Sequence, residues 1–232
     1  MLSVDLKAYP GTSVLEVLVE AKNYNRYLSS LIDIHLKPHF RVLDFGAGSG
    51  TFTLPLLRRG IDVVCVEPDP MLGARLRDDG ATVAVGLDDI ADESVDLIYT
   101  LNVLEHISDD AAAVRALSTK LKAGGTLLVY VPAFEILYSS FDAKIGHLRR
   151  YRRGTLAKLI TTAGLQVTEA RYADSAGFLA ALLFRALGHG GSISRRAVKF
   201  YDQTIFPLSR VADKLLSHCI GKNVIVVARK EG

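Results

Sequence analysis

The chain is poor in cysteine and lacks any long apolar run. Its two cysteines, Cys65 and Cys219, stand in unrelated contexts, which excludes a disulfide scaffold and a Cys-x-x-Cys motif. We expect both to be buried free thiols. Because the sequence has no stretch of about 18 uncharged apolar residues and no signal-peptide pattern near its start, we expect a cytoplasmic protein without a membrane span.

The chain also has little excess charge of either sign, since 28 basic and 25 acidic residues leave a formal net charge of only +3. That charge is too small to indicate a nucleic-acid partner, and the chain has 8% aromatic residues and no second basic stripe. We therefore expect no nucleic acid among its partners. A length of 232 residues, with 49% hydrophobic and 23% charged, predicts one globular domain over residues 1–232, whose oligomeric state stays open.

Hydrophobic periodicity predicts strands that alternate with helices. Helical spacing is found at about residues 51–59, 71–78, 109–121 and 155–163. The predicted strands cover residues 41–45, 62–66, 82–85, 95–100, 126–131, 167–172 and 224–228. This alternation is typical of a mostly parallel sheet with helices on both faces.

Two further segments flank this pattern. Residues 1–38 carry apolar positions at helical spacing and predict an N-terminal helical cap that ends before Pro38. Residues 173–222 form an apolar insert between strands six and seven, far longer than a usual connection, with two apolar or amphipathic helices. We interpret the insert as a lid over the acceptor site, a dimer surface or a membrane-surface contact, and these alternatives stay open.

The most informative stretch is V-L-D-F-G-A-G-S-G at residues 42–50. It joins a predicted buried strand to three alternate glycines, which allow a sharp backbone turn and the close approach of a ligand. Glu67 closes the next strand, seventeen positions after Gly50, near the spacing at which a carboxylate meets ribose hydroxyls. The pattern therefore indicates a bound nucleoside.

Two classes of nucleoside cofactor fit this pattern. A dinucleotide site prefers G-x-G-x-x-G, but position 51 is threonine, and Asp44 would repel a pyrophosphate. S-adenosyl-L-methionine has no phosphate, and its ammonium and sulfonium groups are cationic. A nearby carboxylate suits it, either directly or through water, so we favour this cofactor and keep a nicotinamide-dependent oxidoreductase as the alternative.

Four blocks, found in order across residues 41–132, resemble the class I S-adenosylmethionine-dependent methyltransferases. They are V-L-D-F-G-A-G-S-G, V-C-V-E-P-D, D-E-S-V-D-L-I-Y-T-L-N-V-L-E-H-I and L-K-A-G-G-T-L-L-V-Y-V-P. The block F-D-A-K-I-G-H-L-R-R-Y at residues 141–151 is similar to a bacterial small-molecule branch of that family. The resemblance implies a Rossmann-like three-layer α/β/α sandwich with a seven-stranded, mostly parallel sheet, in which strand seven runs antiparallel beside strand five.

The resemblance also implies which residues bind the cofactor. Glu67 would hold the ribose hydroxyls, and Pro68 would lie beside the adenine. Either Leu87 or Asp88 would contact the adenine amino group. The residues that would wrap the methionine portion are Asp44, Gly46, Ala47, Gly48 and Gly50.

Two more residues would complete that site in the family. Asn102, just after strand four, would lie near the transferred methyl group and the amino-acid end of the cofactor. Tyr24, in the helix before strand one, would close over the cofactor, although packing in the core is an equal alternative.

Two histidines are candidate general bases for drawing a proton from an acceptor hydroxyl. His106 follows strand four, where ligands bind in an open α/β sheet, and a structural histidine packed on the sheet is the alternative. His147 lies in the G-H-L-R-R-Y block, beside the expected acceptor loop.

The same block is strongly basic. Arg149, Arg150 and the adjacent Tyr151 could bind an anionic acceptor, since arginine pairs well with phosphate or carboxylate, whereas a solvated basic face is the usual explanation. We see no carboxylate cluster for a metal and expect none. The expected reaction is methyl transfer to an oxygen, nitrogen or carbon of a small acceptor, and an anionic or a glycan- or lipid-linked acceptor is among the alternatives. A non-catalytic cofactor-binding scaffold of a membrane-linked pathway is a further alternative.

Overall fold

The structure, a computed structural model, describes residues 19–186 and 195–232. Its centre is a seven-stranded sheet in the order β3-β2-β1-β4-β5-β7-β6. The strands are β1 (Arg41–Phe45), β2 (Asp62–Val66), β3 (Thr82–Ala84), β4 (Val95–Leu101), β5 (Leu121–Pro132), β6 (Leu165–Ala173) and β7 (Asn223–Lys230). Strand β7 runs antiparallel to both of its neighbours, and the other pairings are parallel. The predicted fold class is therefore confirmed.

The central strands are apolar on both faces because helices cover both sides of the sheet. Successive residues point to opposite faces, so Leu43 packs into one apolar cluster and its neighbour Val42 into the other. Cys65 is buried as expected, whereas Cys219 is exposed and that expectation was wrong. Position 219 lies beyond the last helix of the insert, outside the sheet that buries Cys65.

Helices follow most strands at the predicted places. Asp69 caps one of them by accepting hydrogen bonds from the N–H groups of Met71 and Leu72, with Pro70 at the first helical position. The helices of the described residues are α1 (Lys22–His35), α2 (Thr53–Arg58), α3 (Pro70–Asp78), α4 (Asp110–Lys120), α5 (Ser140–Lys144), α6 (Arg153–Thr162), α7 (Ser175–Ala186), α8 (Arg195–Phe200) and α9 (Phe206–Leu216).

The insert folds against the N-terminal helix rather than apart from it. The carboxylate of Asp202, in the π-helical turn before α9, accepts hydrogen bonds from the N–H groups of Asn23 and Tyr24 at 3.0 and 2.8 Å. It thereby caps the N-terminus of α1 from a distant part of the chain. Residues 1–18 of the predicted cap, and the His189-Gly190-Gly191-Ser192 stretch, lie outside the described residues.

No helix in the described ranges has both the length and the apolar character needed to cross a membrane.

Candidate functional site

The glycine loop lies at the carboxyl end of β1, where the strand order reverses between β1 and β4. Open α/β sheets bind ligands at such a switch point. Gly46 and Gly50 have φ values of 87° and 77°, which L side chains rarely adopt. A Cβ on Gly46 would lie 2.4 Å from Cγ2 of Val103, and one on Gly50 would lie 2.6 Å from Cδ2 of Leu76. The loop therefore requires glycine at both positions, with Ala47 and Gly48 between them.

Glu67 closes β2 and holds the glycine loop from the next strand. Its Oε2 accepts a hydrogen bond from the Gly48 N–H at 2.7 Å, and its Oε1 accepts one from the Asp69 N–H at 2.9 Å. Burial raises the pKa of this carboxyl group, while the two backbone bonds oppose the rise. Because each carboxylate oxygen has two acceptor positions, Glu67 can still receive hydroxyl groups of a bound sugar.

Asp44 lies beneath the loop and is almost completely buried. Its Oδ2 accepts hydrogen bonds from the hydroxyl groups of Thr53, at 2.5 Å, and Tyr99, at 2.8 Å. Burial raises the pKa of Asp44 to about 7, against the lowering effect of these two bonds. The carboxyl group is thus held by the protein, and it would act on a bound cation chiefly through its electric field.

Asn102 and Tyr24 are 78 positions apart in the chain and meet at the end of β4. Nδ2 of Asn102 lies 3.4 Å from the hydroxyl oxygen of Tyr24 and donates to it. Asn102 has a φ of 57°, in the left-handed region where asparagine is enriched. The Tyr24 ring stands edge-on to Tyr130 and Phe206, at centroid distances of 6.0 and 5.4 Å. The structure therefore brings together two of the residues that were predicted to contact the cofactor.

The predicted adenine contacts lie along the neighbouring strand ends. Pro68 is half-buried directly after Glu67, and Leu87 and Asp88 belong to a short 3-10 turn after β3. Leu87 is buried in the apolar core, whereas Asp88 is exposed. Which of these two meets an adenine stays a prediction.

The two candidate bases, His106 and His147, are neighbours. Their ring centroids lie 4.7 Å apart in an edge-to-face arrangement. Nδ1 of His147 lies 2.7 Å from Oδ1 of Asp142, and Nδ1 of His106 lies 3.1 Å from the carbonyl oxygen of Gly146. Burial, with a smaller contribution from His147, lowers the pKa of His106 to about 4. Asp142, which holds His147 in place, was missed in the sequence.

The predicted acceptor-binding residues are engaged within the protein. Arg150 donates from Nε and Nη2 to the two carboxylate oxygens of Asp142 at 3.0 and 3.1 Å. Arg149 pairs with Asp110 at 2.9 Å, and the hydroxyl group of the buried Tyr151 donates to the same carboxylate at 2.7 Å. This basic run therefore anchors its loop, and its contact with an acceptor stays a prediction.

Comparisons with known proteins agree with this architecture. Among curated proteins, a ubiquinone biosynthesis O-methyltransferase from Xanthomonas campestris pv. campestris (strain B100) is 34% identical over 102 residues, which is 40% of this chain and 43% of that protein. An uncharacterized methyltransferase from Mycobacterium bovis is 32% identical over 114 residues, 47% of this chain and 44% of that protein. The chain thus spans less than half the length of these relatives.

Solved structures extend the likeness over most of the fold. A SAM dependent methyltransferase from Archaeoglobus fulgidus superposes with a TM-score of 0.64 at 18% identity, covering 90% of this chain and 94% of that one. The [4+2]-cyclase SpnF superposes with a TM-score of 0.60 at 19% identity, covering 89% and 80%. At such identities these neighbours establish the fold alone.

A family model described as a methyltransferase domain matches residues 19–170, which contain the glycine loop, Glu67 and both histidines. The chain therefore belongs to the methyltransferase domain family.

Proposed function

We propose that this protein transfers a methyl group from S-adenosyl-L-methionine to a small-molecule acceptor. The observation that carries the proposal is the pair of buried carboxyl groups at the switch point, Asp44 under the glycine loop and Glu67 beside it. A cationic nucleoside is stabilised there, whereas a pyrophosphate would meet two groups of its own charge. This arrangement favours the sulfonium cofactor over a nicotinamide dinucleotide.

The residues present fit that cofactor. The glycine loop leaves no room for a Cβ at Gly46 or Gly50 and so offers its backbone to the ligand. Glu67 keeps acceptor positions for the ribose hydroxyls, and Asn102 with Tyr24 would orient the methionine end. The sulfonium supplies an activated methyl group when it is bound.

The chain's own contribution to the reaction would be alignment and proton removal. Holding acceptor, methyl carbon and sulfur in line can supply several kcal/mol of barrier lowering. For a hydroxyl acceptor, His147 is the better base in this proposal, because Asp142 fixes the ring through Nδ1 and directs Nε2 away from it. His106 lies against it in the same cluster.

Calorimetric titration with S-adenosylmethionine and S-adenosylhomocysteine tests the proposal. We expect binding of both, and weaker binding of both in Glu67→Gln. Titration with NADH serves as the competing arm, and NADH binding at the same site without S-adenosylhomocysteine binding would refute the proposal. Binding of the cofactor without turnover of any hydroxyl, amine or carbon acceptor would instead support the scaffold alternative.

We also propose that the outer face of the insert contacts an anionic membrane surface. Its apolar residues recur at helical spacing on the exposed side of α7 and α9. They are Leu179, Leu182, Leu183, Leu208, Val211 and Leu215. The exposed basic residues of the insert are Arg185, Arg195, Arg196, Lys199, Arg210 and Lys214. By contrast, all three acids within residues 173–222 are buried, so the exposed face carries charge of one sign.

A surface that exposes apolar side chains and basic groups but no acids matches the interface of an anionic lipid layer better than a second copy of the same cationic face. The inner face of these helices packs on α1, where Phe206 meets Tyr24 and Tyr27. Vesicle flotation should show binding to phosphatidylglycerol-containing vesicles and little to phosphatidylcholine alone. The double substitution Val211→Glu and Leu215→Glu should abolish it while cofactor affinity is kept. A dimer that this variant dissociates, with no vesicle binding by the parent, would refute the membrane contact.

A further inference from the structure

Glu105, His106 and His147 form a cluster just beyond the carboxyl end of β4. One potential ligand atom from each of the three lies within 4.8 Å of the other two. Glu105 is 0% exposed, and within the described ranges neither of its carboxylate oxygens has a hydrogen-bond partner. A buried carboxylate without a partner is costly, so its position calls for a specific explanation. Burial raises the pKa of Glu105 to about 8.

Both histidines are oriented through the same ring atom. Nδ1 of His147 faces Asp142, and Nδ1 of His106 faces the carbonyl oxygen of Gly146. A carbonyl oxygen only accepts, so Nδ1 of His106 carries the proton there. Arg150 donates to both carboxylate oxygens of Asp142, so this carboxylate is an acceptor for Nδ1 of His147 as well. In metal sites, a histidine that binds the ion through one ring nitrogen usually donates its other ring N–H to a carboxylate or carbonyl oxygen, which fixes the orientation of the ring.

We propose that Glu105, His106 and His147 bind a divalent transition-metal ion of the zinc class through one carboxylate oxygen and two Nε2 atoms. Two imidazoles and a carboxylate suit zinc and similar ions and disfavour magnesium. Three protein ligands leave a coordination position for an oxygen ligand, as in catalytic rather than structural zinc sites. This inference departs from the sequence-based expectation of no metal. It also replaces the role of His147 as a general base, because an Nε2 atom that binds a metal cannot accept a proton.

The distances agree with an ion between the side chains. Nε2 of His147 and Oε1 of Glu105 lie 3.7 Å apart, too long for a hydrogen bond. Metal–ligand bonds of about 2.1 Å at a tetrahedral angle place two ligand atoms about 3.4 Å apart. The three potential ligand atoms lie within 4.8 Å of one another, and separations that approach this limit would have to shorten through small side-chain rotations on binding.

The cluster lies at the edge of the sheet where the cofactor crevice opens, because Glu105 follows Asn102 by one short turn. This step rests on the proposed methyl transfer: an acceptor that binds at the open coordination position would have to offer an oxygen atom to the metal ion. Water would occupy that position in the absence of acceptor.

Metal binding is measured on the full chain after chelator treatment and dialysis. We expect one equivalent of Zn²⁺ by elemental analysis, and a Co²⁺ complex with the visible absorption of a low-coordinate N/O site. Glu105→Gln and His147→Gln should weaken Zn²⁺ binding by roughly 100-fold or more, and Asp142→Asn by about 10- to 100-fold through loss of the outer partner. His218→Gln, at an exposed histidine, is the matched control and should leave binding unchanged.

Circular dichroism shows whether each variant is folded, and the Zn²⁺-dependent rise in Tm gives a second measure of metal binding. A folded parent that takes up less than one tenth of an equivalent of Zn²⁺, Co²⁺ or Mn²⁺ would overturn the inference. Equal losses in His218→Gln and Glu105→Gln would do the same, because binding would then be to surface histidines. S-adenosylhomocysteine affinity, measured on the same samples, separates this failure from a failure of the proposed methyl transfer.

Discussion

The buried carboxyl group of Asp44 makes cofactor affinity depend on pH. In the free protein burial raises its pKa from 3.8 to about 7, against the hydrogen bonds from Thr53 and Tyr99. A cation bound above the loop would favour the carboxylate and lower that pKa again. Cofactor binding should therefore be accompanied by release of a proton from the fraction of molecules in which Asp44 is protonated.

The sign and size of the effect follow from linkage. The affinity for the cofactor should rise with pH between the pKa of Asp44 in the complex and its pKa of about 7 in the free protein, and it should level off above pH 7. Each pKa unit of lowering corresponds to about 1.4 kcal/mol, or tenfold in affinity. The stability of the protein without cofactor should depend on pH in the opposite direction. Because the pKa of Asp44 is raised in the folded state, its contribution to stability is largest below pH 3.8 and is lost as pH rises through about 7.

The matched variant is Asp44→Asn, which keeps an oxygen to accept from Thr53 and Tyr99 but cannot ionise. Calorimetry from about pH 5.0 to 6.7 stays at least one unit below the pKa of the cofactor's own amino group, which is about 7.7–8.0. We expect the affinity of wild-type protein for S-adenosylmethionine to fall at least tenfold toward the acidic end, and that of Asp44→Asn to stay flat. S-adenosylhomocysteine, which lacks the sulfonium, should show a smaller slope. Equal slopes in the two proteins would show that Asp44 does not sense the ligand.

Three further substitutions test the site and its support. Glu67→Gln should weaken binding of S-adenosylhomocysteine and of adenosine alike by about 1–3 kcal/mol, because the lost contact is to the shared ribose, and calorimetry with both ligands checks this. Asp202→Ala should lower the free energy of unfolding by about 1–3 kcal/mol in a urea titration, since two N–H groups of α1 lose their acceptor, whereas the exposed Gln203→Ala should not. Gly46→Ala should reduce Tm, and adding Val103→Ala should restore only part of it, because the space is recovered but the positive φ is not.

The order of strands and helices could be predicted because each strand is an apolar run between turn residues. Strands β1 and β2 were placed at their observed bounds, and the others apart from β5 were placed within two residues of theirs. Two details were missed. Strand β5 was predicted to begin at residue 126, whereas it begins at Leu121, and its pairing with β4 shifts register between Val95 and Leu97. Helix α5 was not predicted, because five residues are too short to show helical periodicity.

The glycine loop and Glu67, the proposed cofactor-binding residues, could be located from the sequence because their signals are local. The loop and Glu67 belong to consecutive strand ends, and their spacing is set by one helix between them. The histidine cluster is different, since it depends on contacts between distant segments. The Leu148 N–H donates to the Glu105 carbonyl oxygen at 2.8 Å, and Tyr151 pairs with Ala133 next to β5. No local sequence pattern shows that residues 142–151 fold back onto the ends of β4 and β5. Glu105 and Asp142 therefore could not be selected from the sequence.

The insert has two faces, and each is related to a different part of the proposed function. Asp202 caps the helix that carries Tyr24, and Phe206 packs against the Tyr24 ring, so the segment that presents the cationic apolar face also fixes a predicted cofactor contact. The three acids of this segment are buried in hydrogen bonds that hold α1 and the helices of the insert, whereas six of its basic groups are exposed. That asymmetry is explained if one face of the insert supports Tyr24 and the other meets an anionic surface, which would bring a lipid-linked acceptor to the edge of the sheet where the methyl group is held.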